Sequence, residues 1–379
     1  MRFEFATASR IVFGEGTAAT LPELARSFGT RALVVTGSSQ ERAAAIISAL
    51  SAETFTVPGE PTVELVREGA RRVLDAHCDV VVSLGGGSVI DAGKAIAAIA
   101  TNGGEPLDFL EVEGKGRAIA VPPLPFIAAP TTAGTGSEVT RNAVLGSTEH
   151  GIKASLRSPF MLPRVALVDP ELTYGLPAAV TASTGLDALT QLIEPYVSVR
   201  ANPLVDAICV DGIRRVAGSL RRAYHDGADG EARNNMALAS LFGGLALANS
   251  GLGVVHGFAA PLGGSWKAPH GALCAALLPY GMAANVAALR ARAPLHPAQE
   301  RYVTIARLLT GRSEASAEDG IEWVRALCSE LNVPKLRTWG IALSDLPGVV
   351  EKAERASSMQ ANPLPLTGEE LLAVITAAL

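Results

Sequence analysis

The chain has 379 residues, 48% of them hydrophobic, with 38 glycines, 23 prolines and a net charge of −5. That length exceeds one ordinary core and predicts two domains. Charge this mild, with no basic block, excludes a nucleic-acid surface. The N-terminus, "MRFEFATASRIVFGEG", lacks the long apolar core of a signal peptide, and no uncharged apolar stretch nears the roughly 20 residues of a membrane span. The four cysteines, Cys78, Cys209, Cys274 and Cys328, are scattered with no CxxC pair. They read as reduced and mostly buried in a cytoplasmic protein, without a zinc–thiolate site.

In chain order, "RALVVTG" (31–37) is a buried-strand run ending in glycine, and residues 39–50 read as a helix. "TFTV" (54–57) is a second strand and residues 62–77 have helical spacing. "DVVVSLGGGS" (79–88) is an apolar strand running into three glycines, followed by a helix over 89–100. Two further strands follow, "PFIAAPTT" (125–132) and "RVALVD" (164–169). Fully apolar strands alternating with helices predict a parallel sheet covered on both faces. After Pro177 the β-branched runs cease. Helices are predicted over 178–198, 202–223, 230–249, 270–289, 298–311, 317–331 and 367–378. The expectation is an α/β domain over 1–178 and an all-helical domain over 179–379, with an active site in a cleft between them.

Three constellations carry chemistry. Gly85, Gly86 and Gly87, then Ser88, stand where a strand stops and a helix starts. Glycines there let a phosphate approach the backbone and the free N–H groups of the helix start. A plain strand-to-helix turn fits these residues too. The motif is neither GxGxxG nor a Walker loop. "PTTAGTGSEVTRNAV" (130–144) adds hydroxyls directly after a buried strand, which suits a ligand at the carboxyl edge of a sheet or an ordinary polar loop. Together they suggest a dinucleotide. The ribose-binding position after "ALVVT" is Gly37, then Ser38, with Arg42 nearby and no carboxylate, so NADP is permitted as well as NAD. Finally, Asp187 and Gln191 lie one helical turn apart, and His256 and His270 share one apolar block. Asp, His and His, with a weak amide, would suit a divalent metal such as Fe2+, Zn2+, Ni2+ or Co2+. A pair of satisfied core histidines is the other reading.

"GGGSVIDAGKAIA", "PTTAGTGSEVT", "DALTQLIEPYVS", "HGFAAPLGG" and "PHGALCAALLP" occur together, in this order. With these motifs the whole chain resembles the iron-containing (group III) alcohol dehydrogenases. The resemblance implies hydride transfer between NAD or NADP and an alcohol or aldehyde, and commonly a homodimer. It implies Asp187, His256 and His270 as catalytic metal ligands, holding Fe2+ or Zn2+, with Gln191 at the fourth position. It implies Gly85 to Ser88 at the pyrophosphate, Asp91 below the nicotinamide, and Thr131, Thr132, Thr140, Asn142 and Lys153 along the cofactor.

This chain departs from the family pattern at three positions. Gln191 stands where a histidine is usual. Ala260 replaces a histidine one turn after His256, leaving proton delivery to water or a ribose hydroxyl. Gly37 stands where strictly NAD-dependent members often carry Asp. Two other readings accompany this one, a metal-free carbonyl reductase resembling maleylacetate reductase and a lyase resembling dehydroquinate synthase. Phe160, Phe258 and Trp266 are the pocket candidates.

Overall fold

The fold is taken from a computed structural model that describes residues 2–39, 41–111, 116–147, 152–266 and 268–379, with the side chains of Arg42 and Ile152 outside that description. Two compact units emerge. One comprises Ala6–Thr132 with Gly136–Tyr174; the other comprises Gly175–Leu379 with the segments ending at Phe5 and spanning Ala133–Thr135.

In the first unit the order is β1 (Arg10–Phe13), α1 (Leu21–Arg26), β2 (Ala32–Thr36), α2 (Ala44–Leu50), β3 (Glu53–Thr56), α3 (Val63–Asp75), β4 (Val80–Gly85), α4 (Gly87–Asn102), β5 (Phe126–Pro130), β6 (Asn142–Ser147), β7 (Ile152–Arg157) and β8 (Val165–Val168). Six strands form one sheet in the order β1-β8-β5-β4-β2-β3, all neighbours parallel. Side chains alternate across it. Leu33, Val35, Val81 and Ala128 join the core shared with α3 and α4, whereas Val34, Val82, Ile127 and Ala129 join the core shared with α1 and α2. Burial on both faces favours apolar residues at most positions of the central strands, which is why their sequences read as long apolar runs.

The chain moves outward from β2 to β3 and then returns to β4 on the other side of β2, so the winding reverses between β2 and β4. The carboxyl ends of these strands are level: Thr36 pairs with Leu84, and Gly85 with Pro130. A crevice at such a reversal is where open α/β sheets bind ligands. The hairpin β6–β7 is a separate antiparallel pair that sequence reading did not anticipate.

The second unit contains α5 (Ala178–Val197), α6 (Pro203–His225), α7 (Gly230–Ser250), α8 (Val254–Ser265), α9 (His270–Arg292), α10 (Ala298–Thr310), α11 (Ala317–Glu330), α12 (Leu346–Glu354) and α13 (Gly368–Ala378). Their starts carry local signals. Asn202 accepts from the Val205 N–H, Asp229 from the Ala232 N–H, and Ser316 and Thr367 form capping boxes with Asp319 and Glu370. α5 is buried on every side from Gly185 to Val197. Its polar residues therefore face protein and need partners. α9 is long and apolar enough to cross a membrane, as is the bent pair α7–α8, but 78% of the most apolar window of α9 is buried inside the protein. Here it is a core helix.

Candidate metal and dinucleotide sites

Three polar residues of α5 fall on one stripe: Asp187, Gln191 and Glu194, at i, i+4 and i+7. All three are at most 4% exposed. Glu194 anchors the next part of the site. One of its oxygens accepts from the Val255 N–H at 2.7 Å, and the other receives a hydrogen bond from His256 Nδ1 at 2.7 Å. A carboxylate can only accept here, so Nδ1 carries a proton, and with a cation in place Nε2 is the atom that presents a lone pair. Gly253 permits this, because a Cβ there would lie 2.9 Å from the Glu194 oxygen. Asn362 ties the start of α8 down from the other side. It accepts from the Val254 N–H and exchanges hydrogen bonds with Asn285 of α9.

The freed His256 Nε2 lies 3.4 Å from Asp187 Oδ1, and His270 Nε2 lies 3.9 Å from the same oxygen. The two imidazole rings are 5.5 Å apart between centroids. His270 opens α9 and is the partly exposed member, at 35%, against 1% for Asp187 and 5% for His256. Cys274, one turn along α9, brings its sulfur to 3.7 Å from His270 Nε2. One ligand atom from each of Asp187, His256, His270 and Cys274 lies within 4.8 Å of all the others.

Burial alone would push the Asp187 carboxyl up, but the close approach of His256 and the charge of the two imidazoles outweigh it and hold it below the ordinary carboxylate range. Burial would pull His256 down, yet the Cys274 sulfur, Asp187 and Glu194 hold it well above the usual imidazole value. The arrangement favours positive charge at its centre. Asp187 Oδ1, Gln191 Oε1 and His256 Nε2 are buried and have no hydrogen-bond partner among the described residues. Each such group costs about 1–3 kcal/mol. A divalent cation, bonded to the oxygens and the imidazole nitrogen, removes that cost, so these residues fit the metal.

Glu194 and Cys274 were missed by sequence reading. Both were signalled by helical spacing, Glu194 as the third member of the α5 stripe and Cys274 four after His270. Replacing Glu194 with Gln keeps the shape but frees the imidazole tautomer. The expected outcome is a loss of ~10–100-fold in metal affinity, read by titrating metal-stripped E194Q with Zn2+ and comparing it with the parent protein.

In the sheet unit, β4 ends at Gly85 and α4 begins at Gly87, with Gly86 as its N-cap. A Cβ on Gly85 would lie 2.6 Å from Val89, so only glycine lets the helix start this close to the strand. The first N–H groups of α4, from Gly87 and Ser88, have no helical carbonyl to bond, the feature that suits a helix start to an anion. Gly37 and the exposed Ser38 follow β2 alongside, and Thr131 donates its N–H to the Gly85 carbonyl at 3.0 Å. Thr132 sits against Gly86.

Several of the other expected cofactor residues make contacts within the protein. Asp91 accepts from the Ser137 hydroxyl and from the Val144 N–H, so it braces the 137–144 segment. Thr140 and Asn142 are held by Lys94, a buried side chain that sequence reading passed over. Its ammonium bonds the Ser137, Thr140 and Asn142 carbonyls and the Thr140 hydroxyl. Burial lowers Lys94, against the opposing pull of Asp91 and Glu138, and raises Glu138 to about 7. Lys153 pairs with Glu60 at 2.7 Å. Arg42 belongs to the short turn Glu41–Ala43, and its side chain lies outside the described residues. Of the pocket candidates, Phe258 is fully buried in the helical core, Trp266 packs partly against that core, and Phe160 is 52% exposed. Phe258 is thus a packing residue, because α8 turns it inward among other helices.

A glycine turn suited to a phosphate and a buried polar cluster suited to a cation occur in one chain, the features of metal-assisted enzymes that use a dinucleotide. Comparison with known proteins narrows this class. Residues 8–170 match the iron-containing alcohol dehydrogenase family model, and residues 181–379 match the C-terminal model of that family. Alcohol dehydrogenase 4 of Saccharomyces cerevisiae is 39% identical over 319 residues, 84% of this chain and 80% of its own. The 1,3-propanediol dehydrogenase of Klebsiella pneumoniae is 39% identical over 83% of this chain and 79% of its own. A crystal structure of 1,3-propanediol oxidoreductase superposes with a TM-score of 0.91 at 33% identity, covering all of both chains. Sulfoacetaldehyde reductase from Bifidobacterium kashiwanohense, solved with NAD+, gives 0.88 at 30% identity over 99% of this chain and 98% of its own. The chain belongs to the iron-containing alcohol dehydrogenase family. It interconverts an alcohol and an aldehyde or ketone by hydride transfer with an NAD-type cofactor, and its family uses a metal.

Proposed function

We propose that Asp187, His256 and His270 hold a divalent cation on which turnover depends, and that the enzyme accepts NADP(H) as well as NAD(H). Small or medium alcohols and aldehydes are the proposed substrates, turned over by a homodimer in the cytoplasm. The observation that carries the metal reading is the set of three buried polar atoms without partners, Asp187 Oδ1, Gln191 Oε1 and His256 Nε2. Without a metal, protonated His256 can donate from Nε2 to Asp187 Oδ1 at 3.4 Å, but Gln191 Oε1 is still left without a donor among the described residues.

When bound, the cation supplies Lewis acidity toward a substrate oxygen, and the nicotinamide supplies or accepts the hydride. The chain's own contribution is positioning and charge. Asp187 offsets part of the cation's charge, Glu194 fixes the His256 tautomer, and the N–H groups of Gly87 and Ser88 hold pyrophosphate. Oxidation of an alcohol also releases its hydroxyl proton. Ala260, exposed on α8, offers no group to receive that proton, so it leaves to water or through a ribose hydroxyl. Chelation should therefore abolish turnover and zinc or iron should restore it. Protein fully stripped of metal that keeps its rate would overturn the reading.

The NADP proposal rests on Gly37. Its backbone is open to any side chain, and a Cβ there would meet nothing closer than Val89 at 3.9 Å. Gly37→Asp should fold normally and place a carboxylate beside the ribose. Opposed to a 2′-phosphate it costs ~2 kcal/mol or more, so kcat/KM for NADPH should fall ~30-fold or more while that for NADH is kept or improved. Equal effects on both cofactors would mean that the ribose does not lie at Gly37.

A further inference from the structure

We propose that Cys274 is a fourth protein donor to this metal centre, through its thiolate, and that the centre consequently selects zinc over iron. The inference rests on the reading that the site holds a divalent cation at all. Cys274 is fully buried and free. It lies one helical turn beyond His270, so both side chains leave the same face of α9. Around Asp187 Oδ1, His256 Nε2, His270 Nε2 and Cys274 Sγ the known edges are 3.4, 3.9 and 3.7 Å. A tetrahedral zinc with bonds of about 2.0–2.1 Å to nitrogen or oxygen and about 2.3 Å to sulfur needs edges of about 3.4 and about 3.6 Å. Along these three edges the atoms settle inward by no more than about half an ångström, and all four lie within 4.8 Å of one another.

The remaining cysteines lie elsewhere, Cys78 in the sheet unit, Cys209 on α6 and Cys328 on α11. Cys328 spends its sulfur on the Ala275 carbonyl. None of them belongs to a group of possible metal ligands among the described residues. Charge and softness point the same way. Gln191 is neutral and a poor ligand, so Asp187 alone would leave a dication half compensated. An Asp187 carboxylate and a Cys274 thiolate together neutralise it, and thiolate favours zinc, whereas carboxylate and imidazole alone discriminate little. Binding releases the thiol proton to solvent, with no redox change. The Gln191 amide oxygen, orphaned one turn from Asp187, is the fifth ligand to which a catalytic zinc can expand.

The test uses the whole protein, stripped by chelation and reloaded. With Co2+, the wild type should show the intense near-ultraviolet sulfur-to-cobalt charge-transfer band, and Cys274→Ser should lack it while still binding cobalt. Cys328→Ser should keep the band. With Zn2+, X-ray absorption of the wild type should show one sulfur scatterer at about 2.3 Å, a measurement that needs no variant. In anaerobic competition, the wild type's preference for Zn2+ over Fe2+ should fall ~10-fold or more in Cys274→Ser. A cobalt protein with no sulfur band and a zinc site with only light scatterers would overturn the role of Cys274 and leave the metal reading standing. A band that survives in Cys274→Ser would overturn it too. Failure to bind any divalent metal, with turnover intact after chelation, would overturn both.

Discussion

Asp187→Asn is expected to leave a folded protein that has lost its metal and ~10³-fold or more of its kcat/KM, about 4 kcal/mol of transition-state stabilisation. The side chain is 1% exposed and contributes the one carboxylate oxygen that lies near both His256 and His270. Asn preserves volume, so α5 should pack as before. It removes the negative charge and places either an amide NH2 or a neutral oxygen against the imidazoles. The NH2 would repel the cation outright, and the neutral oxygen would bind it weakly. The measurement is metal content by mass spectrometry alongside steady-state kinetics, with near-ultraviolet circular dichroism to confirm packing. A variant that retains both metal and rate would remove Asp187 from the centre.

Gly271→Ala should impair the same centre without touching a donor. A Cβ at Gly271 would stand 2.6 Å from the Ser183 carbonyl oxygen, 3.0 Å from its carbon and 3.4 Å from Asp187 Cβ. The first two are backbone atoms of α5 and cannot swing aside. The first turn of α9 must back away, carrying His270 with it. Overpacking of this kind costs about 1–3 kcal/mol of stability, and a shift of ~1 Å in a reacting group costs ~10²-fold in rate. Gly218→Ala is the matched control. It lies inside α6 with nothing within 4 Å of its added Cβ, and should be neutral or slightly stabilising. If both variants melt and turn over like the parent, the close approach of α5 and α9 does not set the geometry.

The parallel strands were legible because burial on both faces favours apolar residues, and each run ended in a glycine or proline signal. The edge strand β1 escaped, since its residues are exposed or half-buried and its four positions carry no alternation. The hairpin β6–β7 was hidden in a Ser- and Thr-rich stretch that reads as a loop. α8 was hidden as well: "VVHGFAAPLGGS" holds Pro261 and three glycines, and only its packing against α9 and α12 makes it a helix. The site was half legible. Asp187, Gln191 and the two histidines stand out as polar groups in apolar surroundings. Cys274 did not, because a buried cysteine is ordinary; Glu194 did not, because its place on the α5 stripe is the only signal and its partner lies on another helix. Lys94, which nothing in its own neighbours announces, reaches the Thr140 hydroxyl and the backbone carbonyl of Asn142.

That Asp187, Gln191 and Glu194 share one stripe of α5 has a consequence for how this helix can change over generations. Each residue advances the helix by about 100°. A single insertion or deletion between Ser183 and Val197 would therefore swing part of the stripe toward hydrophobic neighbours and separate the proton-fixing carboxylate from the cation-facing one. Side-chain replacements can be tried one position at a time, but the length of this segment is frozen, and any lengthening has to be absorbed in the turn from Ser198 to Asn202.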